Sequence, residues 1–193
     1  VEGWYEIPNA VAEYYGTCTG KAGDRYNVWM NIIQNYQSVE ANSSNISVAL
    51  YLKRNDGVSD SAYNLNDSEN AAAITINSET KIVRNLDIDT RNNKTVTLVQ
   101  WTGDVFHNAD GSLNLNVDGN FVMGNSNLTG GAVSANFNCT VIPRASGLSI
   151  GLSEVYPGGN VTCQVLAASS EFSHSVNFYL EKEEGSIWLS EGV

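Results

Sequence analysis

FHNADGSLNLNV, residues 106–117, is the stretch on which the reading of the fold turns. Its second half alternates. Leu113, Leu115 and Val117 fall on one side and Ser112, Asn114 and Asn116 on the other, which is the period of a strand with one dry and one wet face. Its first half gathers His107, Asn108 and Asp110 beside Gly111, and so reads either as a site or as a turn. A Ca²⁺ loop needs acidic or amide ligands at alternating positions and a glutamate twelve residues from the first, and a zinc site needs more His or Cys than this neighbourhood supplies. The turn reading needs nothing that is missing. Asn108 or Asp110 caps its own backbone, Gly111 takes the strained position, and the segment is expected to be the tip of a hairpin joining a strand at 105–107 to one at 113–117.

The same alternation recurs along the chain. Tyr26, Val28 and Met30 share a face, as do Ile46, Val48, Leu50 and Leu52 with Ala49 and Tyr51 opposite. Further strands are expected at 73–76, 81–84, 95–101, around Phe121, at 133–142, 148–150, 159–166 and 175–180, separated by NDG, NSE, RNN and PGG, whose residues tolerate positive φ. NIIQNYQSVEAN, the one stretch that could pass for a helix, reads as a strand running into a loop. About ten short strands with regular turn signals predict an all-β chain built as an Ig-like antiparallel β-sandwich.

Pro143 cannot donate to a ladder, and a new alternating pattern starts beyond residue 147. The expected organisation is an N-terminal segment or linker at 1–14, a sandwich at 15–143, a linker at 144–147, and the start of a second Ig-like sandwich at 148–193. The last stretch holds too few strands to close a sandwich of ~100 residues, so it is expected to be truncated or completed by a partner.

Composition narrows the function. Ten basic against twenty-one acidic residues give a formal charge of −11, which disfavours contact with phosphate backbones and with anionic lipid, so neither nucleic acid nor a membrane is expected as a partner. Three cysteines, Cys18, Cys139 and Cys163, lack CxxC spacing and are expected as buried thiols, with a Cys18–Cys139 bridge as the alternative. His107 and His174 are the only histidines, and no serine sits in a GxSxG elbow. No catalytic residue, metal ligand or cofactor is therefore expected. Asp87 and Asp89 read as the wet face of a strand. The seven Asn-x-Ser/Thr sequons, at Asn42, Asn45, Asn66, Asn93, Asn127, Asn138 and Asn160, follow from an Asn- and Ser/Thr-rich composition. Among the aromatics, Trp29 and Trp101 are expected in the core. Trp4, Tyr5, Tyr14 and Tyr15 are the candidates for contact with a glycan or a protein partner.

Four segments in order, YNVWMNIIQNYQSVEANSSNISVALYLKR at 26–54, WTGDVFHNADGSLNLNV at 101–117, CTVIPRAS at 139–146 and SSEFSHSVNFYL at 169–180, resemble a family of minor structural, tail-associated proteins from siphophages of Gram-positive bacteria. The likeness covers most of 15–180. It implies tandem β-sandwich domains, an HNADG hairpin, a location in the virion near the tail tip or a fibre, oligomerisation there, and other tail proteins as partners. It implies no catalytic residues. Members continue through a complete second sandwich, which strengthens the fragment reading. The alternative is a carbohydrate-binding sandwich that recognises bacterial cell-wall polysaccharide, suggested by the aromatics and the amide-rich surface.

Overall fold

The computed structural model describes residues 4–5, 10–55, 64–66, 68–91, 94–143, 145–150, 163–167, 179–184 and 187–192, with side chains for 10–55, 68–91 and 94–143. The chain divides into two compact units, Val1–Ile142 and Pro143–Val193. Every described regular element is a β-strand apart from one 3-10 turn at Gly23–Arg25.

The first unit is an antiparallel β-sandwich. One sheet contains β1 (Trp4–Tyr5), β2 (Ala10–Tyr15), β4 (Tyr26–Ser38), β5 (Ser43–Arg54) and β10 (Thr95–Phe106), with β1 and β2 lying end to end along one edge of β4 and β10 on the far side of β5. The other runs in the order β3 (Thr17–Thr19), β12 (Gly130–Asn138), β11 (Asn114–Val122), β7 (Ala71–Ile76) and β8 (Glu79–Arg84). A two-stranded pair, β6 (Asn64–Asn66) with β9 (Asp87–Asp89), completes the described strands of this unit. The second unit contains the antiparallel pairs β13 (Ala145–Ile150) with β14 (Cys163–Ala167) and β15 (Tyr179–Glu184) with β16 (Ile187–Gly192).

Period two explains the core. Val28, Met30 and Ile32 from β4, with Ile46, Val48, Leu50 and Leu52 from β5, face Ile74, Leu115, Val117, Phe121 and Val133 from the other sheet, and all are buried. Each such side chain contributes roughly 1.5–3 kcal/mol by leaving water. Gly119 of β11 lies against Leu50 and Met30, where a Cβ would come within 2.9 Å of the leucine methyl, so the two sheets meet closely there. A bulge between Thr97 and Val99 turns both Leu98 and Val99 inward. The NSE turn closes β7 onto β8 in two residues, with Asn77 at φ +45 and Ser78 at φ +82, the conformation that matches the twist of a tight hairpin.

Two expectations are corrected. Residues 10–14 do not lie in a linker: Ala10–Tyr15 is an edge strand of the first sheet, with Ala10, Ala12 and Tyr14 packed on the core. Small residues alternating with a tyrosine gave too weak a hydrophobic signal to mark it. Second, HNADG is not a hairpin tip, because β10 pairs with β5 in one sheet whereas β11 pairs with β7 and β12 in the other. The segment carries the chain across the sandwich.

The joint between β2 and β3 is equally tight. Only Gly16 separates them, yet β2 pairs with β4 in one sheet and β3 with β12 in the other. The Gly16 N–H donates to the Val28 carbonyl at 3.0 Å while its Cα presses on β12, where an added Cβ would lie 2.0 Å from the Ala132 oxygen. One continuous strand thereby serves both sheets.

Candidate functional site

At the crossing from β10 to β11 the turn has defined chemistry. Gly111 donates its N–H to the Asn108 carbonyl at 2.9 Å and sits at φ +82, which suits glycine. The Asp110 carboxylate accepts the Ser112 N–H at 2.9 Å and its hydroxyl at 2.6 Å, and these bonds hold the Asp110 pKa below the ordinary carboxylate value. Asn42, at φ +50 in the β4–β5 turn, donates its side-chain amide to the carbonyls of His107 and Asn108, at 3.1 and 2.9 Å.

His107 lies beneath this turn, buried. Its Nδ1 is 2.7 Å from the Gly111 carbonyl, which can only accept, so Nδ1 carries the proton and Nε2 accepts from the Ser44 hydroxyl at 2.6 Å. The Ser44 oxygen accepts from the Gln34 amide at 2.8 Å, and the Gln34 oxygen accepts the Thr140 N–H at 2.8 Å. The donors run in one direction through four groups, tying β4 and β5 to the crossover and to the segment after β12.

A serine bonded to a histidine invites a catalytic reading, and the surroundings argue against it. Ser44 is 1% exposed and Gln34 is 0% exposed, so no substrate reaches the hydroxyl, and a backbone carbonyl takes the place of an orienting carboxylate. The arrangement is a polar lock within the fold. The inward positions of Gln34 and Ser44 were legible in the alternation that buries Ile32 and Ile46; their bonding to His107 was not.

The lock titrates. Burial pushes the His107 imidazole below its ordinary value of 6.5, with the Gly111 carbonyl opposing that shift. The unfolded chain therefore binds the proton more readily, so the stability carried by the neutral ring is complete above pH 6.5 and is lost as pH falls from there toward the folded value. Between about pH 7 and pH 5 the urea midpoint of the native chain is expected to fall more steeply than that of His107→Gln. Parallel slopes would show that this ring does not titrate on folding.

The outward face of the first sheet is different in character. Tyr15 of β2 is paired with Trp29 of β4, and Trp29 with Tyr51 of β5, which places three aromatic residues in a row across neighbouring strands. Trp29 and Tyr51 stack with centroids 5.3 Å apart and planes at 22°, while Tyr15 is 70% exposed and donates its hydroxyl to Glu13 at 2.7 Å. Amides surround the row. Asn27 and Asn55 exchange hydrogen bonds at 2.6 and 2.9 Å, and Asn35 donates to Asn45 at 2.9 Å and to Ser47 at 2.8 Å.

The structure thus sorts the aromatic candidates. Tyr15 lies on the outward face, but Tyr14 points the other way, packs on the core and donates its hydroxyl to the Asn136 carbonyl at 3.1 Å. Trp29, expected in the core, is on the outward face, because the alternation that buries Val28 and Met30 turns Trp29 outward. Trp101 is half-buried against the core. Trp4 and Tyr5 form β1 and pair with Ser38 and Gln37, and their side chains lie outside the described residues. So do His174 and the Cys163 side chain.

Cys18 and Cys139 are free thiols, pushed by burial to about 11 and about 12. The alternative of a bridge fails on distance: Cys18 pairs with Gly131, eight residues from Cys139 along the same strand direction, roughly 26 Å at strand rise, and a bridge needs Cα atoms within about 7 Å. Among the described residues no group of three or more His, Cys, Asp or Glu could hold a metal ion, and no helix is long and apolar enough to cross a membrane.

A family model described as a siphovirus protein of unknown function (DUF859) matches residues 13–191. The chain belongs to this family. No curated protein and no solved structure matches it. The DUF859 match reaches into both compact units and takes in every strand described above except β1, the start of β2 and the last residue of β16. The family places the protein with a bacteriophage of the siphovirus type.

Proposed function

We propose that this DUF859 chain is a structural component of the siphovirus virion, in the tail tip or a tail fibre, where it spaces or scaffolds the host-adhesion device and carries out no catalytic step. Family membership supports the phage context. The observation that carries the reading is the Tyr15–Trp29–Tyr51 row on the outward face of the first sheet, since aromatic residues on an accessible face dominate protein contacts. Its partners are other tail proteins, and assembly in the virion is oligomeric. Among the described residues, burial of the Ser44–His107 pair inside the polar lock supports a non-enzymatic role.

Two measurements test this. Gold-labelled antibody raised against the chain is expected to mark one end of the tail on intact particles; label in the lysate but on no particle would overturn the proposal. The double variant Tyr15→Ser, Tyr51→Ser alters only the outward face, and it is expected to weaken binding to tail proteins at least about tenfold while leaving the fold intact.

The second reading, a carbohydrate-binding module for wall polysaccharide, is favoured by the same amides and aromatics. It predicts saturable binding of purified wall polysaccharide by the isolated chain, and absence of binding at millimolar sugar would sink it.

A further inference from the structure

The first sheet ends on β10. Among the described residues this strand pairs with β5 alone, so its other side is a free edge along a strand of 12 residues. Which residues serve that edge follows from the ladder. His107 donates its N–H to the Asn42 carbonyl, and the amides of an antiparallel strand alternate in direction, so Val99, Trp101, Gly103 and Val105 bond to β5 while Gln100, Thr102 and Asp104 turn their N–H and C=O groups into the free edge. No other backbone bond among the described residues takes these groups.

Exposed edges are usually blunted, because they template pairing with another chain. β8, an edge strand of the other sheet, carries Lys81 and Arg84. β10 has no lysine, arginine or proline, and Asp104 is its one charged side chain. The bulge between Thr97 and Val99 interrupts the edge, and beyond it residues 99–106 pair with β5 in regular register. On a chain of charge −11 this nearly neutral edge is where a second copy meets little repulsion.

A two-fold axis fixes how two such edges meet. Residues opposed in an antiparallel pair point their side chains to the same face, and the bonded pairs must come from Gln100, Thr102 and Asp104 on both strands. A centre on Thr102 satisfies both conditions within the regular stretch: Thr102 meets its own copy, Gln100 meets Asp104, Trp101 meets Gly103 and Val99 meets Val105. Asn45 engages one oxygen of Asp104 at 2.6 Å, and the other is open to the Gln100 amide of the second copy. The two Asp104 carboxylates stand four residues apart, roughly 14 Å at strand rise. A centre on Gly103 would set them two residues apart on the diagonal, where like charges repel. We infer that two copies of this chain pair through β10, antiparallel and in register about Thr102, so that their first sheets become one. The inference names a contact for the oligomeric assembly proposed above and stands on the edge itself, not on a place in the tail.

A single strand pair is a small interface, so the dimer forms at high concentration. In sedimentation equilibrium the full 193-residue chain at about 100 µM is expected to contain dimer, and Thr102→Asp, which brings two carboxylates together on the axis, to weaken it at least about tenfold. Thr102 is exposed, so the dilute variant should keep a native-like unfolding midpoint. The register has its own readout. Residues opposed in a bonded pair have Cα atoms about 5.5 Å apart, within disulfide reach. In a Cys163→Ala background, Thr102→Cys should form a disulfide-linked dimer under mild oxidation, Gln100→Cys alone should not, and Gln100→Cys mixed with Asp104→Cys should form the mixed dimer. A native chain that stays monomeric at that concentration, a dimer that Thr102→Asp leaves intact, or equal cross-linking at positions 100 and 102 overturns the inference. Gold labelling of the tail separates the two ideas: tail label with a monomeric chain removes the pairing and leaves the virion role standing, and a dimer without tail label does the reverse.

Discussion

Gly16→Val is expected to destabilise the first unit by about 3 kcal/mol or more, a large share of the 5–15 kcal/mol that holds a typical domain together. The side chain has nowhere to go. An added Cβ would meet the Ala132 carbonyl oxygen at 2.0 Å and a Val133 methyl at 2.6 Å, and the Gly16 N–H is already committed to Val28 in the opposite sheet. Relief requires β2 to leave β4 or β3 to leave β12, and either movement uncovers apolar surface that Ala12, Tyr14 and Cys18 now cover. Denaturant unfolding of the variant checks this. A midpoint within experimental error of the native chain would mean that the strand does not cross between the sheets at Gly16.

His107→Ala is expected to cost about 2–4 kcal/mol, the combined effect of a cavity and of hydrogen-bonding groups left without a partner in a buried place. The Ser44 hydroxyl loses its acceptor and the Gly111 carbonyl loses the ring donor, though that carbonyl keeps the Ile142 N–H at 2.9 Å. Double-mutant cycles with Ser44→Ala should return a coupling of about 1 kcal/mol or more, because the two side chains act in one network. Additive losses would show that the bond between them contributes nothing. Gly111→Val, which forces a β-branched residue to φ +82, should damage the same corner by about 1–3 kcal/mol through strain alone.

These residues also show what could be read from the sequence and what could not. Alternation in SLNLNV assigned Leu113, Leu115 and Val117 to the core, and they are buried. Period two reports which face a residue takes, however, and is silent about which neighbouring strand it pairs with. A glycine at positive φ serves a hairpin and a crossover equally well, so HNADG read as the former while forming the latter. Trp29 illustrates the opposite case. Its position between the inward Val28 and Met30 already placed it outside, and treating tryptophan as a core residue by type overrode the register. The polar lock escaped because its members, Gln34, Ser44, His107 and Thr140, are spread over more than a hundred residues and meet only through the sandwich. Gly16 carries no signal in one sequence, since its role lies in an oxygen atom on a distant strand.

The strand that changes sheets at Gly16 has a mechanical consequence. Tension applied along β2 is resisted by the hydrogen bonds to β4 in sliding, and at the same moment it reaches β12 through β3, so the two sheets share the load from the first residue that bears it. A sandwich whose edge strand belonged to one sheet would let that strand peel away alone. Here detachment requires both layers to yield together, so the two sheets resist pulling as one body.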